Sequence, residues 1–242
     1  MYERAIVLAA GKSTRIATVA GCLPKPLIEI AGEPILVRNL RWLAQSGIKE
    51  VWINLHYRPE AIRDRIGDGS GFGLEVNYSY EPEILGTAGG VRKIALNWTE
   101  AFVVVYGDSL LRADLRVMQK GHERSGTAVT IGLFDRLRQP HTGIAGGTVA
   151  VSESGYVLSF IEGTSTATSA LVNAGLYIVQ PDLLQRIPPN TFYDFARDLF
   201  PQLLNLAVPI NSHVIEGYCL GIDTPEAYRQ AVRLIDEGRV RL

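Results

Sequence analysis

Cysteine is nearly absent from the 242-residue chain. There are two, Cys22 and Cys219, far apart and in no CxxC pair. That scarcity argues against a disulfide framework and a structural zinc site, and it predicts a reducing, cytoplasmic setting. No run of about 18 apolar residues occurs, so a membrane-spanning helix is not expected. Neither sign of charge is in excess: 24 Lys and Arg face 25 Asp and Glu, for a net charge of −1. A nucleic-acid-binding surface and an acidic disordered tail are both unexpected. Histidine is scarce too. His56, His122, His141 and His213 are scattered, and no Ser/His/Asp arrangement is legible. Met1-Tyr2-Glu3-Arg4 runs straight into an apolar stretch, without the long apolar region of a signal peptide.

Apolar residues are plentiful, at 47%. At this length they suffice for one sizeable core. Ala5-Ile6-Val7-Leu8-Ala9 and Phe102-Val103-Val104-Val105 are wholly apolar, as in strands buried on both faces. Leu36, Leu40 and Leu43 recur at helical spacing after Pro34, and Gly47 stops that helix. Strands at Val51–Asn54 and Leu74–Tyr78 alternate with helices at Ala61–Ile66 and Val91–Leu96. The alternation predicts an α/β fold with a mostly parallel sheet flanked by helices. After Ala128 the pattern turns strand-rich, at 129–131, 148–151, 157–161 and 176–179, which suits a mixed extension of that sheet. Thr224-Pro225 reads as the cap and first residue of a last helix. The segments 136–147 and 163–170 are polar or small and read as flaps over a site.

The first strand runs into Ala10-Gly11-Lys12-Ser13-Thr14-Arg15. Ligands of open α/β sheets bind outside the carboxyl ends of the strands. Small residues there let backbone N–H groups approach phosphate oxygens, and Arg15 adds a bidentate cation. The loop is not a P-loop, because Ile6 stands where that motif needs glycine, and GxGxxG is absent. In Pro24-Lys25-Pro26 two prolines hold the backbone extended around one lysine, a fixed point charge for phosphate. Asp108 and Asp223 each follow a glycine-bearing strand end. Were those strands parallel in one sheet, both acids would share the ligand-bearing edge. Two carboxylates plus phosphate oxygens are a usual way to hold Mg²⁺. Phosphate cradles, cations and a metal without a protein nucleophile suit attack of one phosphate on another, since a phosphomonoester is already largely ionised at neutral pH.

The ordered set of segments resembles the sugar-phosphate nucleotidylyltransferases. The matching residues are Leu8 to Arg15, Leu23-Pro24-Lys25-Pro26-Leu27, Ala31-Gly32-Glu33-Pro34, Gly67 to Ser70, Leu85-Gly86-Thr87-Ala88-Gly89-Gly90, Gly107-Asp108, Asn173-Ala174-Gly175 and Gly221 to Pro225. The resemblance implies a Rossmann-like α/β fold, that of the nucleotide-diphospho-sugar transferases, over residues 1–242 as one domain. It also implies Mg²⁺ dependence and conversion of an NTP and a sugar 1-phosphate to an NDP-sugar and pyrophosphate. A chain of this length lacks room for the C-terminal β-helix of bifunctional relatives. Carried over by position, Ala10, Gly11, Lys12, Ser13 and Thr14 would cradle the triphosphate. Arg15 would sit on its outer phosphates and Lys25 at the reacting ones. Asp108 and Asp223 would hold Mg²⁺, and Gly86 and Thr87 would lie against base and ribose. Gly143, Glu162 and Asn173 would contact the sugar. Many relatives have Glu-Lys-Pro where this chain has Glu162-Gly163-Thr164, so a lysine on the sugar phosphate is missing.

Glu81 precedes the Gly86-Thr87 loop, where thymidylyl relatives often carry glutamine. A carboxylate accepts both N1–H and N2–H₂ of guanine, so Glu81 favours GTP, as in the similar mannose- and manno-heptose-1-phosphate guanylyltransferases. Uridylyl or thymidylyl transfer, for example to N-acetylmuramate 1-phosphate, is the alternative. A glycosyltransferase using an NDP-sugar is the second, although Asp108-Ser109-Leu110 lacks the second acid such enzymes usually carry. A homo-oligomer is compatible with all three. Trp42, Trp52 and Trp98 read as core or interface residues.

Overall fold

The structure is a computed structural model that describes residues 2–143, 147–161 and 169–242. Its first strand, β1 (Arg4–Leu8), shows why the apolar runs matter. Ala5 and Val7 enter one hydrophobic cluster while Ile6 and Leu8 enter another. Successive strand side chains point to opposite faces, so a strand covered on both must be apolar throughout. Val103 and Val105 against Phe102 and Val104 repeat the division in β6 (Phe102–Tyr106).

After β1 come α1 (Ala17–Ala20), the short strands β2 (Glu29–Ile30) and β3 (Glu33–Pro34), and α2 (Ile35–Gln45). Leu36, Leu40 and Leu43 of α2 are fully buried in the first cluster, as their spacing predicts. Then follow β4 (Glu50–Leu55), α3 (Pro59–Ile66), β5 (Glu75–Tyr80) and α4 (Gly86–Ala95), which leads to β6. β5, β4, β1 and β6 lie side by side and all pair in parallel. Their carboxyl ends therefore share one edge of the sheet.

The chain continues through β7 (Ser109–Leu111), α5 (Leu115–Ser125), β8 (Val129–Asp135), β9 (Thr148–Val151), β10 (Val157–Ile161) and β11 (Leu171–Val179). Last come α6 (Phe200–Asn205), β12 (Asn211–Val214), β13 (Cys219–Gly221) and α7 (Pro225–Asp236). β11 runs antiparallel to β6, β8 and β9, while β12 pairs in parallel with β8. The expected mixed extension is thus observed. β11 is longer than its apolar stretch suggests. A bulge between Asn173 and Leu176 divides it, with Gly175 at φ +69°. A Cβ on Gly175 would lie 2.8 Å from the Tyr106 ring, so only glycine lets β11 pass so near it.

Two expectations need correction here. β13, which carries Asp223 just beyond its end, is not parallel to β6 in the main sheet. It pairs antiparallel with β7 in a separate two-stranded ribbon. And α4 begins at Gly86, five residues before the predicted Val91, despite the low helix propensity of Gly89 and Gly90. Tertiary packing overrides propensity, because a Cβ on Gly89 would lie 2.9 Å from Thr191 O. The helix α5 is one that the sequence pattern does not predict. Leu115, Met118, Gln119 and His122 are its buried face, and two polar members hide the apolar period. Asp114 caps it by accepting from the N–H groups of Arg116 and Val117.

Among the described residues no helix is long and apolar enough to cross a membrane. Both thiols are free, Cys22 exposed and Cys219 buried, and burial pushes the Cys219 thiol far above its usual range. The indoles of Trp42 and Trp98 pack on the two main clusters, with Trp98 edge-on to Phe102 at 5.0 Å. Of the two candidate flaps, residues 144–146 and 163–168 lie outside the described residues. The described parts are joined, since Arg136 donates from its backbone to Ala170 O and from its guanidinium to Ser169 O, both at 3.1 Å.

Candidate active site

A cleft of about 190 Å³ opens where β1 and β6 end. Gly11, Lys12, Ser13, Thr14 and Arg15 line one side, and Lys25, Asp108 and Asp223 the other. Gly107 brings the acid side close. Its N–H donates to Leu8 O at 2.9 Å, and a Cβ there would lie 2.9 Å from the same oxygen. Any larger residue would push Asp108 away from β1. At Gly11 the situation is reversed, because a Cβ would meet nothing within 4 Å. The fold does not need glycine there for its own packing, and the backbone stands open to close approach from the cleft.

Ser13 sits in the left-handed region at φ 59° and ψ 21°. Its Oγ accepts the Lys25 N–H at 2.7 Å, which pins the loop to the lysine segment. Pro24 is extended, as the sequence suggests, but Lys25 itself opens a tight turn rather than continuing the extension. The turn is closed by Leu27 N–H donating to Pro24 O at 2.9 Å and Ile28 N–H to Lys25 O at 3.0 Å. These bonds outweigh the usual bias of a residue before proline.

Lys25 is 7% exposed, and its ammonium lies between the two acids. Nζ donates to Asp108 Oδ2 at 2.7 Å and to Asp223 Oδ1 at 2.5 Å. Arg15 Nη2 reaches the same Asp223 oxygen at 3.2 Å from a largely exposed position. Burial disfavours the Lys25 charge, but Asp108 and Asp223 together outweigh it and hold its pKa above the usual lysine range. Asp223 arrives there through the ribbon, where Ile222 N–H donates to Asp108 O at 3.3 Å. Two carboxylates that converge on one cation are hard oxygen donors of the kind a divalent ion takes. Among the described residues no group of three or more His, Cys, Asp or Glu could hold a metal. An ion between Asp108 and Asp223 would therefore draw its other ligands from phosphate and water, as Mg²⁺ commonly does.

The chain matches the nucleotidyl transferase family model over residues 4–237. It belongs to that family. It is 33% identical over 226 residues to a mannose-1-phosphate guanylyltransferase of Mycobacterium tuberculosis, covering 93% of this chain. It is 32% identical over 244 residues to a UTP–glucose-1-phosphate uridylyltransferase of Synechocystis, covering 95%. The chain spans 62% of the length of each of these relatives. In fold it is similar to HddC from Yersinia pseudotuberculosis, solved in complex with GMP-PN, with a TM-score of 0.80 and 24% identity. That likeness covers 97% of this chain and 100% of the other. The resemblance to sugar-phosphate nucleotidylyltransferases drawn from the motifs, and the fold it implied, are borne out.

The remaining candidate residues are placed unevenly. Gly86 opens α4 at φ +74°, and a Cβ there would lie 2.5 Å from Tyr193 O. Thr87 Oγ1 donates to Asp194 Oδ2 at 2.8 Å and accepts the Phe195 N–H at 2.9 Å. With its hydroxyl engaged, Thr87 offers a ligand chiefly its backbone. Asn173 is buried, donating to the Tyr177 hydroxyl at 2.8 Å and accepting the Gly175 N–H at 3.0 Å. Gly143 is exposed at φ +69°, next to Thr142, whose hydroxyl donates to Gly221 O at 2.7 Å and so ties the segment to β13. Glu162 and Gly163 lie outside the described residues.

Glu81 is the residue whose position differs most from its expected use. Its side chain is wholly buried, and each carboxylate oxygen accepts from the protein, Oε1 from Asn54 Nδ2 at 2.8 Å and Oε2 from Leu85 N–H at 3.0 Å. Reading guanine through this carboxylate would require the side chain to leave its buried position. Sequence reasoning misses Asn54 itself. Its signal is a lone amide in the otherwise apolar strand Val51-Trp52-Ile53-Asn54.

Proposed function

We propose that the chain transfers a nucleotidyl group from an NTP to a sugar 1-phosphate, releasing pyrophosphate, with residues 1–242 acting as one catalytic domain. The observation that carries this reading is the meeting of Asp108, Asp223 and Lys25 beside the open backbone of Gly11. A sugar phosphate oxygen attacks the α-phosphorus of the NTP. A new P–O bond forms, the bond to the β-phosphate oxygen breaks, and pyrophosphate leaves with the electron pair. No base is needed, because the attacking phosphate is already ionised at neutral pH.

The work left to the protein is alignment and charge neutralisation. In this proposal the amides of residues 10–14 hold the triphosphate and Arg15 faces its outer phosphates. The Lys25 ammonium, held charged by its two acids, faces the reacting ones. Asp108 and Asp223 would hold Mg²⁺, which when bound supplies positive charge to the phosphate oxygens. Gly86 and Thr87 flank base and ribose, and Gly143, Glu162 and Asn173 face the sugar.

Guanine is the base to test first, supported by the name of the Mycobacterium tuberculosis relative. Uracil is the second reading, supported by the name of the Synechocystis relative at nearly equal identity. The test is a matrix of GTP, UTP, dTTP and ATP against sugar 1-phosphates, scored by pyrophosphate release. Release should require both substrates and Mg²⁺, with GTP and mannose 1-phosphate the leading pair. Consumption of an NDP-sugar without pyrophosphate would support the glycosyltransferase alternative instead.

A further inference from the structure

Glu81 lies at the centre of a buried chain of hydrogen bonds. The Ala9 N–H donates to Asn54 Oδ1 at 2.7 Å, Asn54 Nδ2 donates to Glu81 Oε1 at 2.8 Å, and Leu85 N–H donates to Glu81 Oε2 at 3.0 Å. The polarity is fixed at both ends by backbone donors. The Ala9 N–H needs the oxygen of the Asn54 amide, which turns its NH₂ toward the acid. The Leu85 N–H needs the other acid oxygen. Helix α4 closes over the pair, since a Cβ on Gly90 would lie 2.6 Å from Glu81 Oε1 and 2.9 Å from Asn54 Nδ2.

The two ends of this chain are informative. Ala9 lines the cleft itself and leads through Ala10 to Gly11, which lines it too. Leu85 leads into Gly86-Thr87 at the start of α4. We infer that Glu81 is a positioning residue that ties these two loops together through Asn54, and that it serves every nucleotide alike instead of selecting the base. The inference rests on the transfer reading above, in which the first loop holds the triphosphate and the second flanks the base. A buried carboxylate is retained only when its oxygens are satisfied, and here both are satisfied within the protein. Breaking one link leaves an N–H or NH₂ buried without an acceptor, and the loop attached to it loses its anchor.

The test exploits the fixed polarity. In Glu81→Gln the new amide must turn its oxygen to Leu85 N–H, so its NH₂ meets the NH₂ of Asn54. In Asn54→Asp two carboxylates meet instead. The double variant, Glu81→Gln with Asn54→Asp, restores the bond in reverse: the introduced amide donates to the introduced carboxylate, at unchanged net charge. Calorimetric titration of each protein with GTP, UTP, dTTP and ATP should show both single variants weaker by about tenfold or more, by one common factor for all four. The double variant should recover most of that loss. A changed rank order among the nucleotides in Glu81→Gln would overturn the inference, because Glu81 would then read the base. Failure of the double variant to recover binding, whether folded or not, would also overturn it. Binding is measured without turnover, so the transfer reading can fail in the pyrophosphate assay while this comparison still decides the role of Glu81. A wild-type chain that binds none of the four nucleotides would overturn both.

Discussion

Asp223 stands beside Asp108 because the ribbon of β7 and β13 joins the two, Ser109 pairing with Gly221. Asp108 follows a strand of the main sheet, and Asp223 follows the ribbon strand β13, which runs antiparallel to β7. Ile222 N–H donates to Asp108 O at 3.3 Å, and the Lys25 ammonium bonds both side chains. The ribbon therefore delivers the second acid to an edge that the parallel strands had already defined.

Asp108→Asn and Asp223→Asn should each lower turnover by about 10²-fold or more, since on the proposed reading each removes one charged oxygen donor to the metal. The fold should be kept, because both carboxylates are partly exposed. Pyrophosphate release and circular dichroism check the two halves of this statement. Wild-type rates in both variants would remove the metal assignment.

Replacing Lys25 by methionine should reduce turnover by about 10²-fold, because the charge proposed to face the reacting phosphates is lost. Arginine should not restore it. A planar guanidinium cannot take the position of an ammonium bonded at 2.7 and 2.5 Å to two acids in a closed corner. Steady-state kinetics of both variants with one substrate pair provide the check.

Gly90→Ala should destabilise the protein by about 1–3 kcal/mol, the usual range for overpacking a tight site. The added carbon would fall 2.6 Å from Glu81 Oε1, and neither Glu81 nor Asn54 has room to retreat without breaking a bond to backbone. Gly11→Ala should cost much less stability, as its Cβ meets nothing. Denaturant melts of the pair would show the contrast, and equal losses would contradict it.

Stability should fall in acid below about pH 6.5 through His122. The ring is buried between Thr130 and Gln180, with Nδ1 2.8 Å from Thr130 Oγ1 and Nε2 3.2 Å from Gln180 Nε2. Burial lowers its pKa, and Glu123 opposes this only in part. The unfolded chain then takes up the proton at a higher pH than the folded one. Folding stability from this group is complete above the unfolded value of 6.5 and is lost as pH falls through the lowered one. His213, lowered by burial as well, acts in the same direction. Unfolding free energies at pH 7.5 and 5.5 should differ less in His122→Gln than in the wild type.

The parallel half of the sheet is legible because β1 and β6 are apolar on both faces, and α2 because Leu36, Leu40 and Leu43 keep helical spacing. Arg15, Lys25, Asp108 and Asp223 are legible as a group because each follows a strand end or a proline turn. What escapes is long-range. α5 hides its period behind Gln119 and His122, whose buried side chains find partners in Tyr2, Thr130 and Gln180, distant in the chain or across the fold. The placement of Glu81 escapes for the same reason. A glutamate just before the Gly86-Thr87 loop reads as a contact to the base, and only the approach of Asn54 and the missing side chain of Gly90 make an interior position tenable. Asp194 escapes too, although Asp194-Phe195-Ala196 carries the mark of a helix cap and accepts from Ala196 N–H at 3.0 Å.

The accessibility of the two thiols gives the protein a ready handle for spectroscopy. Cys22 lies on the surface three residues before Lys25, while Cys219 is enclosed and resistant to ionisation. A maleimide fluorophore would attach at Cys22 alone, next to the segment that Ser13 clasps. One chromophore beside that segment would test the proposed nucleotide binding in real time, with no substitution in the polypeptide.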